Sequence, residues 1–239
     1  MHPNDFGPIY TETLPGLATG LLPVEPWNTW SNLVFVLLFI HIAFRTRLDY
    51  QRYPLIVISL PILAIGIIGG TVYHATRSHA VWLFMDFMPI LILTSAAALA
   101  FWREVIGKWP RAVLLFLLVA VSGRALGFAL TTERSVQISL GYLSAALSIL
   151  LPLAILVRRA KWRGLGLLCG IVLTFAAAVA CRMLDRAGTP SPLPMGTHFL
   201  WHLFGGASVW MLMLVVVRLN DVRRASTSTT NERIQIDLT

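Results

Sequence analysis

Two histidines four residues apart, His198 and His202, stand at the start of an apolar stretch. On a helix that spacing puts both imidazoles on one face, about one turn apart. Two such ligands and a third from another segment are a usual way to build a three-histidine zinc site with an open fourth position. His74, at the end of a different apolar stretch, is the natural third ligand. The competing reading of the pair is two core histidines hydrogen-bonded to their neighbours. Asp86 opens a further apolar segment. A carboxylate there suits the positive end of a helix macrodipole, or it moves protons to and from water at a metal, or it supports a ligand.

These residues need elements to carry them, and the composition says of what kind. Of 239 residues, 56% are hydrophobic and 13% charged. A soluble domain of this length carries about a quarter charged residues. Too little polar surface is present to cover a water-facing globule, so the solvent for most of the chain is lipid. The net charge of +8 and pI near 10.3 raise nucleic acid as a partner. The basic residues lie between apolar runs rather than on a shared polar face, which encodes membrane topology and excludes that partner. Cys169 and Cys181 fall twelve residues apart in one apolar segment, which suits neither a disulfide framework nor a cysteine metal site. Residues 1–27 hold no Lys or Arg and no apolar core, so the first span is expected to insert as an uncleaved anchor.

A span needs roughly 20 mostly apolar residues. Seven stretches qualify, at about 28–44, 54–74, 83–102, 112–131, 136–157, 164–184 and 197–217. The predicted fold is therefore all-α, a seven-helix membrane bundle over 28–218. An extracytoplasmic segment (1–27) precedes it and a disordered cytoplasmic tail (219–239) follows, the latter carrying the run Ser226-Thr227-Ser228-Thr229-Thr230. The turn Thr189-Pro190-Ser191-Pro192-Leu193-Pro194 separates the last two spans. With the amino terminus outside, the inner segments carry fourteen Lys and Arg; the outer ones carry four, Arg77, Arg134, Arg182 and Arg186. That asymmetry fixes the orientation and puts the carboxyl terminus in the cytoplasm. Arg124 alone falls well inside a span, away from its ends, where it either snorkels to the outer surface or pairs with an acidic group or lipid headgroup.

The orientation brings Glu25, Asn28 and Asn32 of helix one, His74 of helix two, Asp86 in the first turn of helix three, and His198 and His202 of helix seven to one membrane face. Random placement would scatter them over both, which favours a site over isolated core histidines. His79 reads as a solvated loop residue, His41 is at the inner end, and His2 is in the amino-terminal tail. Tyr73 and Trp201 adjoin the predicted ligands and read as pocket walls or as interfacial anchors. Tyr142 of helix five faces the same half.

Three blocks resemble the alkaline ceramidase family, seven-span hydrolases of a superfamily that includes the adiponectin-receptor-like proteins. They are Glu25-Pro26-Trp27-Asn28-Thr29-Trp30-Ser31-Asn32, similar to the family's E-x-x-N-x-x-S-N; Gly69-Gly70-Thr71-Val72-Tyr73-His74 followed by Asp86-Phe87-Met88-Pro89-Ile90; and Gly196-Thr197-His198-Phe199-Leu200-Trp201-His202, the family's H-x-x-W-H. The resemblance implies a zinc-dependent amidase acting on ceramide or a related N-acyl lipid in the bilayer, with zinc on His74, His198 and His202 and an acid, Asp86, beside it. It also implies a calcium site at Glu25 and Asn28. Tyr10-Thr11-Glu12 looks like the family's Y-C-E and adds Glu12 to that set. Departures from the pattern are Gly70 where the family has an oxyanion-stabilising serine, with Thr71 one step round the helix as a substitute; a twelve-residue interval from His74 to Asp86; and Pro8 in place of an acidic residue, with Asp5 displaced. The acidic, tryptophan-bearing first block is consistent with a bacterial member and an inner-membrane location.

The alternative function is a non-catalytic seven-helix receptor or sensor that holds the metal structurally, which the loss of serine at Gly70 favours. A haem protein fits poorly, because an i, i+4 pair does not bracket one iron. Retinal needs a lysine within a span, and Lys108 and Lys161 are in loops. A transporter would show paired broken segments.

Overall fold

Proline opens two of the helices that deliver the site, where its missing N–H costs nothing and its fixed φ is already helical. Pro26 starts α2 (Pro26–Ser31) and Pro54 starts α4 (Pro54–Thr76). A computed structural model of the protein describes residues 5–130, 134–185 and 190–236. Around those two helices lie α1 (Thr13–Thr19), α3 (Leu33–Thr46), α5 (Ala80–Ile106), α6 (Trp109–Leu130), α7 (Arg134–Arg159), α8 (Leu165–Leu184) and α9 (His198–Ile236). His2, residue 131, Arg186 and Thr189, each used in the topology, lie outside the described residues.

The described residues contain no strand, and seven helical segments are long and apolar enough to cross a membrane. α2 and α3 together make the first span, Pro26–Thr46. The protein is an all-helical integral membrane protein. Each predicted span has its helix, with edges moved by a few residues. Two differences are larger. α9 continues beyond its apolar part to Ile236, where a disordered tail is expected; no Gly or Pro stands in 221–236 to stop it. α5 begins at Ala80, so Asp86 is not in its first turn. The start of α5 is capped instead by His79, whose Nδ1 accepts the Val81 amide at 3.1 Å. The macrodipole reading of Asp86 fails for this reason, and the loop histidine has a local structural role.

The packing is that of a protein dissolved in lipid. Large apolar side chains such as Leu37, Phe44, Ile58, Leu91, Val121 and Leu173 are exposed on the outside of the bundle. Inside, Leu38, Ile42, Ile56, Leu60, Ala98, Phe101, Met213 and Val217 form one buried cluster between α3, α4, α5 and α9. Polar groups gather at the two ends. At one end of α4, Asp221 accepts from Arg52 Nη2 and from Tyr53 Oη, each at 2.6 Å. At the other end lie His74 and Arg77.

Without a hydrophobic force between helices in lipid, close approach depends on small residues. Gly66, Gly69 and Gly70 provide it where α4 meets α5. A Cβ at Gly69 would lie 2.5 Å from the Met85 carbonyl carbon and 2.8 Å from the Asp86 amide nitrogen. Those are backbone atoms and cannot turn aside. Gly69→Ala is therefore expected to cost about 1–3 kcal/mol of stability, the range for overpacking, read as a lowered unfolding temperature in detergent. A wild-type unfolding temperature in that variant would show that the two helices are not in contact here.

Candidate metal centre

The end of α4 and the start of α9 are brought together by the chain that precedes the first span. The Val24 amide donates to the Ala75 carbonyl at 2.8 Å and the Glu25 amide to the His74 carbonyl at 3.1 Å. On the α9 side, Gly196 turns with φ of +81°, a conformation that favours glycine, and a Cβ there would meet Asp185 Oδ2 at 2.3 Å. Asp185 consequently reaches the free amides at the head of α9, accepting from Thr197 N at 2.7 Å and His198 N at 2.6 Å. Its other oxygen accepts from the Thr11 amide and hydroxyl at 2.8 and 2.7 Å. One carboxylate thus caps α9 and staples the amino-terminal segment to it.

The three predicted histidines meet. Their rings lie 5.3 Å (His74 to His198), 5.0 Å (His74 to His202) and 4.8 Å (His198 to His202) apart by centroid. One ring nitrogen from each lies within 4.8 Å of the others, so one ion could be shared. All three side chains are buried.

The hydrogen bonds decide which nitrogens face inward. Ser31 Oγ has one proton, given to the Asn28 carbonyl at 2.9 Å. Its contact with His202 Nδ1 at 2.6 Å must then be one in which the ring N–H donates. His74 Nδ1 likewise donates to Glu25 Oε2 at 2.5 Å. The lone pairs of both rings are left on Nε2. His74 Nε2 and His198 Nδ1 are buried and have no hydrogen-bond partner. A buried orphan nitrogen costs about 1–3 kcal/mol, and two of them beside a third imidazole fit a bound cation. Residues that orient metal-bound histidines tune affinity by 10–100-fold. Ser31→Ala is expected to weaken metal binding about that much, measured by competition with a chromogenic chelator; equal affinity would remove Ser31 from the site.

Glu25 is the hub beneath the histidines. Oε1 accepts from Thr13 Oγ1 at 2.5 Å and from Arg77 Nη1, and Oε2 accepts from His74 and from Asn28 Nδ2 at 3.1 Å. Burial by itself would raise its pKa, but the hydrogen bond from His74, followed by the Arg77 guanidinium and the Thr13 hydroxyl, holds the carboxyl well below its usual range, at about 2. Glu12 is turned elsewhere: its two oxygens accept the Trp27 and Asn28 amides, both at 2.9 Å, at the start of α2.

Asp86 is half-buried on α5, within electrostatic reach of His74 and Arg182. A Cβ at Gly70 would come 2.6 Å from Asp86 Oδ1 and 3.2 Å from Asn32 Oδ1. The Asp86 carboxylate thus occupies the space that a side chain at position 70 would take. Thr71 is half-buried beside it on α4, about 100° round the helix.

The aromatic residues form two walls. Tyr73 is buried edge-on to His74, at 4.8 Å. Tyr142 packs on Trp201 at 5.0 Å and lies under the Arg182 guanidinium at 5.1 Å. His41 pairs with Trp210 and takes no part in the site. Sequence reasoning assigned no role to Ser31, Asp185, Arg77 or Tyr10, whose ring stacks on His198 at 3.8 Å. Ser31 and Tyr10 stand inside motifs already quoted, but nothing in the pattern announces the other two.

The sequence model of one family, described as Ceramidase, matches residues 22–236, nearly the whole chain. The chain belongs to the ceramidase family. No match to a curated protein sequence was found. Ceramidase membership, seven apolar spans and a buried three-histidine cluster together support a membrane-embedded hydrolase of lipid amides whose histidines can hold a metal.

Proposed function

We propose that this ceramidase-family protein is a zinc-dependent intramembrane hydrolase that cleaves the amide bond of ceramide or a related N-acyl lipid. The observation that carries the reading is the convergence of His74, His198 and His202 on one point, with buried unpartnered ring nitrogens on His74 and His198. The chemistry of the donors selects the metal, since three neutral imidazoles with one open position suit zinc. Zinc bound there supplies a Lewis acid and lowers the pKa of water towards ~7.

The chain's own residues supply the rest. Glu25 and Ser31 hold two imidazoles in the tautomer that turns Nε2 inward. Asp86 takes the proton from the attacking water and returns it to the leaving amine, the general base and acid of the reaction. Trp201 and Tyr142 wall the approach, and Arg182 beside Tyr142 offers hydrogen bonds to a polar headgroup. The positive-inside charge pattern supports an extracytoplasmic site and a cytoplasmic carboxyl terminus, in a bacterial inner membrane. A substrate whose chains already lie in lipid reaches such a site from between the helices.

Purified protein presented with a panel of N-acyl lipids is expected to release free fatty acid. That release should fall to background after chelation and return with zinc, as read by mass spectrometry. No release from any amide-linked lipid by zinc-loaded protein would leave the sensor reading, in which the metal is only structural.

A further inference from the structure

The amino-terminal segment and the end of α4 share a cation that the chain supplies itself. Arg77 is 2% exposed, among the most buried large side chains of the protein. Its Nε donates to Asp5 Oδ2 at 2.6 Å, and Nη2 donates to Asp5 Oδ1 at 3.0 Å and to the Pro8 carbonyl at 3.0 Å. Nη1 donates to Thr13 Oγ1 at 2.9 Å and to Glu25 Oε1. The guanidinium also lies over the Tyr73 ring, 4.7 Å from its centroid.

The partners of Arg77 are two carboxylates, a backbone carbonyl and a hydroxyl, converging from three separate segments. That is an all-oxygen set of the kind that holds a hard divalent cation. Here its centre is filled. The residues expected to hold calcium do not fit that ion. Both oxygens of Glu25 are committed to Arg77, Thr13, His74 and Asn28, and both oxygens of Glu12 to the amides of α2. Asn28 turns its amide nitrogen, not its oxygen, to Glu25. A second cation on Glu25 Oε1 would face the guanidinium already bound there, and like-charge repulsion in a buried site opposes it.

We infer that Arg77 is a covalently tethered replacement for a divalent ion, and that the protein docks its amino-terminal segment beside the histidine cluster without calcium. Through Glu25, Arg77 also fixes the orientation of His74, so it is a positioning residue for the metal centre. The inference concerns the cradle alone and holds whatever reaction the histidine site performs.

Calcium titration of the full-length, metal-loaded protein in detergent tests it, by calorimetry and by thermal unfolding in calcium-free, calcium-containing and magnesium-containing buffer. Wild type is expected to bind no calcium up to about 1 mM, the weak end of natural calcium modules, and to unfold at one temperature in all three. Arg77→Ala keeps the oxygen donors and vacates their centre. It is expected to bind calcium and to gain roughly 5 °C or more at saturation, with a smaller response to magnesium. A purely structural arginine would give no such gain. Stoichiometric calcium binding by wild type, or a lower unfolding temperature for it in calcium-free buffer, overturns the inference. A folded Arg77→Ala that ignores calcium does so as well. If Arg77→Ala does not fold, the wild-type titration decides alone.

Discussion

His202→Ala is expected to reduce bound zinc from about one ion per chain to near none, and lipid amidase activity by at least about 1,000-fold. The argument has two parts. Three imidazoles with one open position are the minimum for a catalytic zinc, so loss of one leaves two ligands from different helices and an exposed coordination sphere. Without the ion, water returns from a pKa near ~7 towards its bulk value and the amide carbonyl is no longer polarised. The fold should survive. The His202 ring is hydrogen-bonded to Ser31, while Asp185 caps α9 from a different position. Metal analysis by mass spectrometry on the purified variant, with His41→Ala as a control at the other end of the first span, makes the test. Full zinc occupancy in His202→Ala would end the three-histidine reading.

Asp86→Asn is expected to separate chemistry from metal binding. The amide keeps the shape of the carboxylate and its packing against Gly70, but it cannot accept a proton. General acid–base groups contribute about 10²–10⁴-fold, and a loss of that size in kcat with zinc content unchanged is the expected result. Equal loss of zinc and activity would make Asp86 a support for the ligands instead. Activity within a few-fold of wild type would remove it from the mechanism.

These two experiments bear on residues that were legible in the sequence, and the physical reason is periodicity. The i, i+4 spacing of His198 and His202 specifies a shared helical face whatever surrounds it. Long apolar runs specify spans, and spans that alternate in direction bring chain-distant polar residues such as Glu25, His74 and His202 to one end of the bundle. Asp86 was found by the same argument, though its place within α5 was not, because the start of that helix is set by His79 in the preceding loop. Glu12 and Asn28 show the limit of motif reasoning: the residue types match the pattern, but the structure has them capping a helix and bracing Glu25.

What the sequence determined by itself, then, is the solvent, the number of spans, and the one end where the ionisable groups gather. Each follows from one-dimensional quantities, hydropathy and spacing, that a helix converts directly into position. Tertiary structure alone decided the pairings. Arg77 reads as an ordinary loop charge, yet it is buried between residues 5 and 25, and Asp185 joins Thr11 to the head of α9. The Arg77 contacts and the Asp185–Thr11 contact join residues more than fifty positions apart, and they depend on loop paths that no periodicity encodes. A charge in a loop is assigned to water by default, and only the packing of the segment above it shows that the water has been replaced.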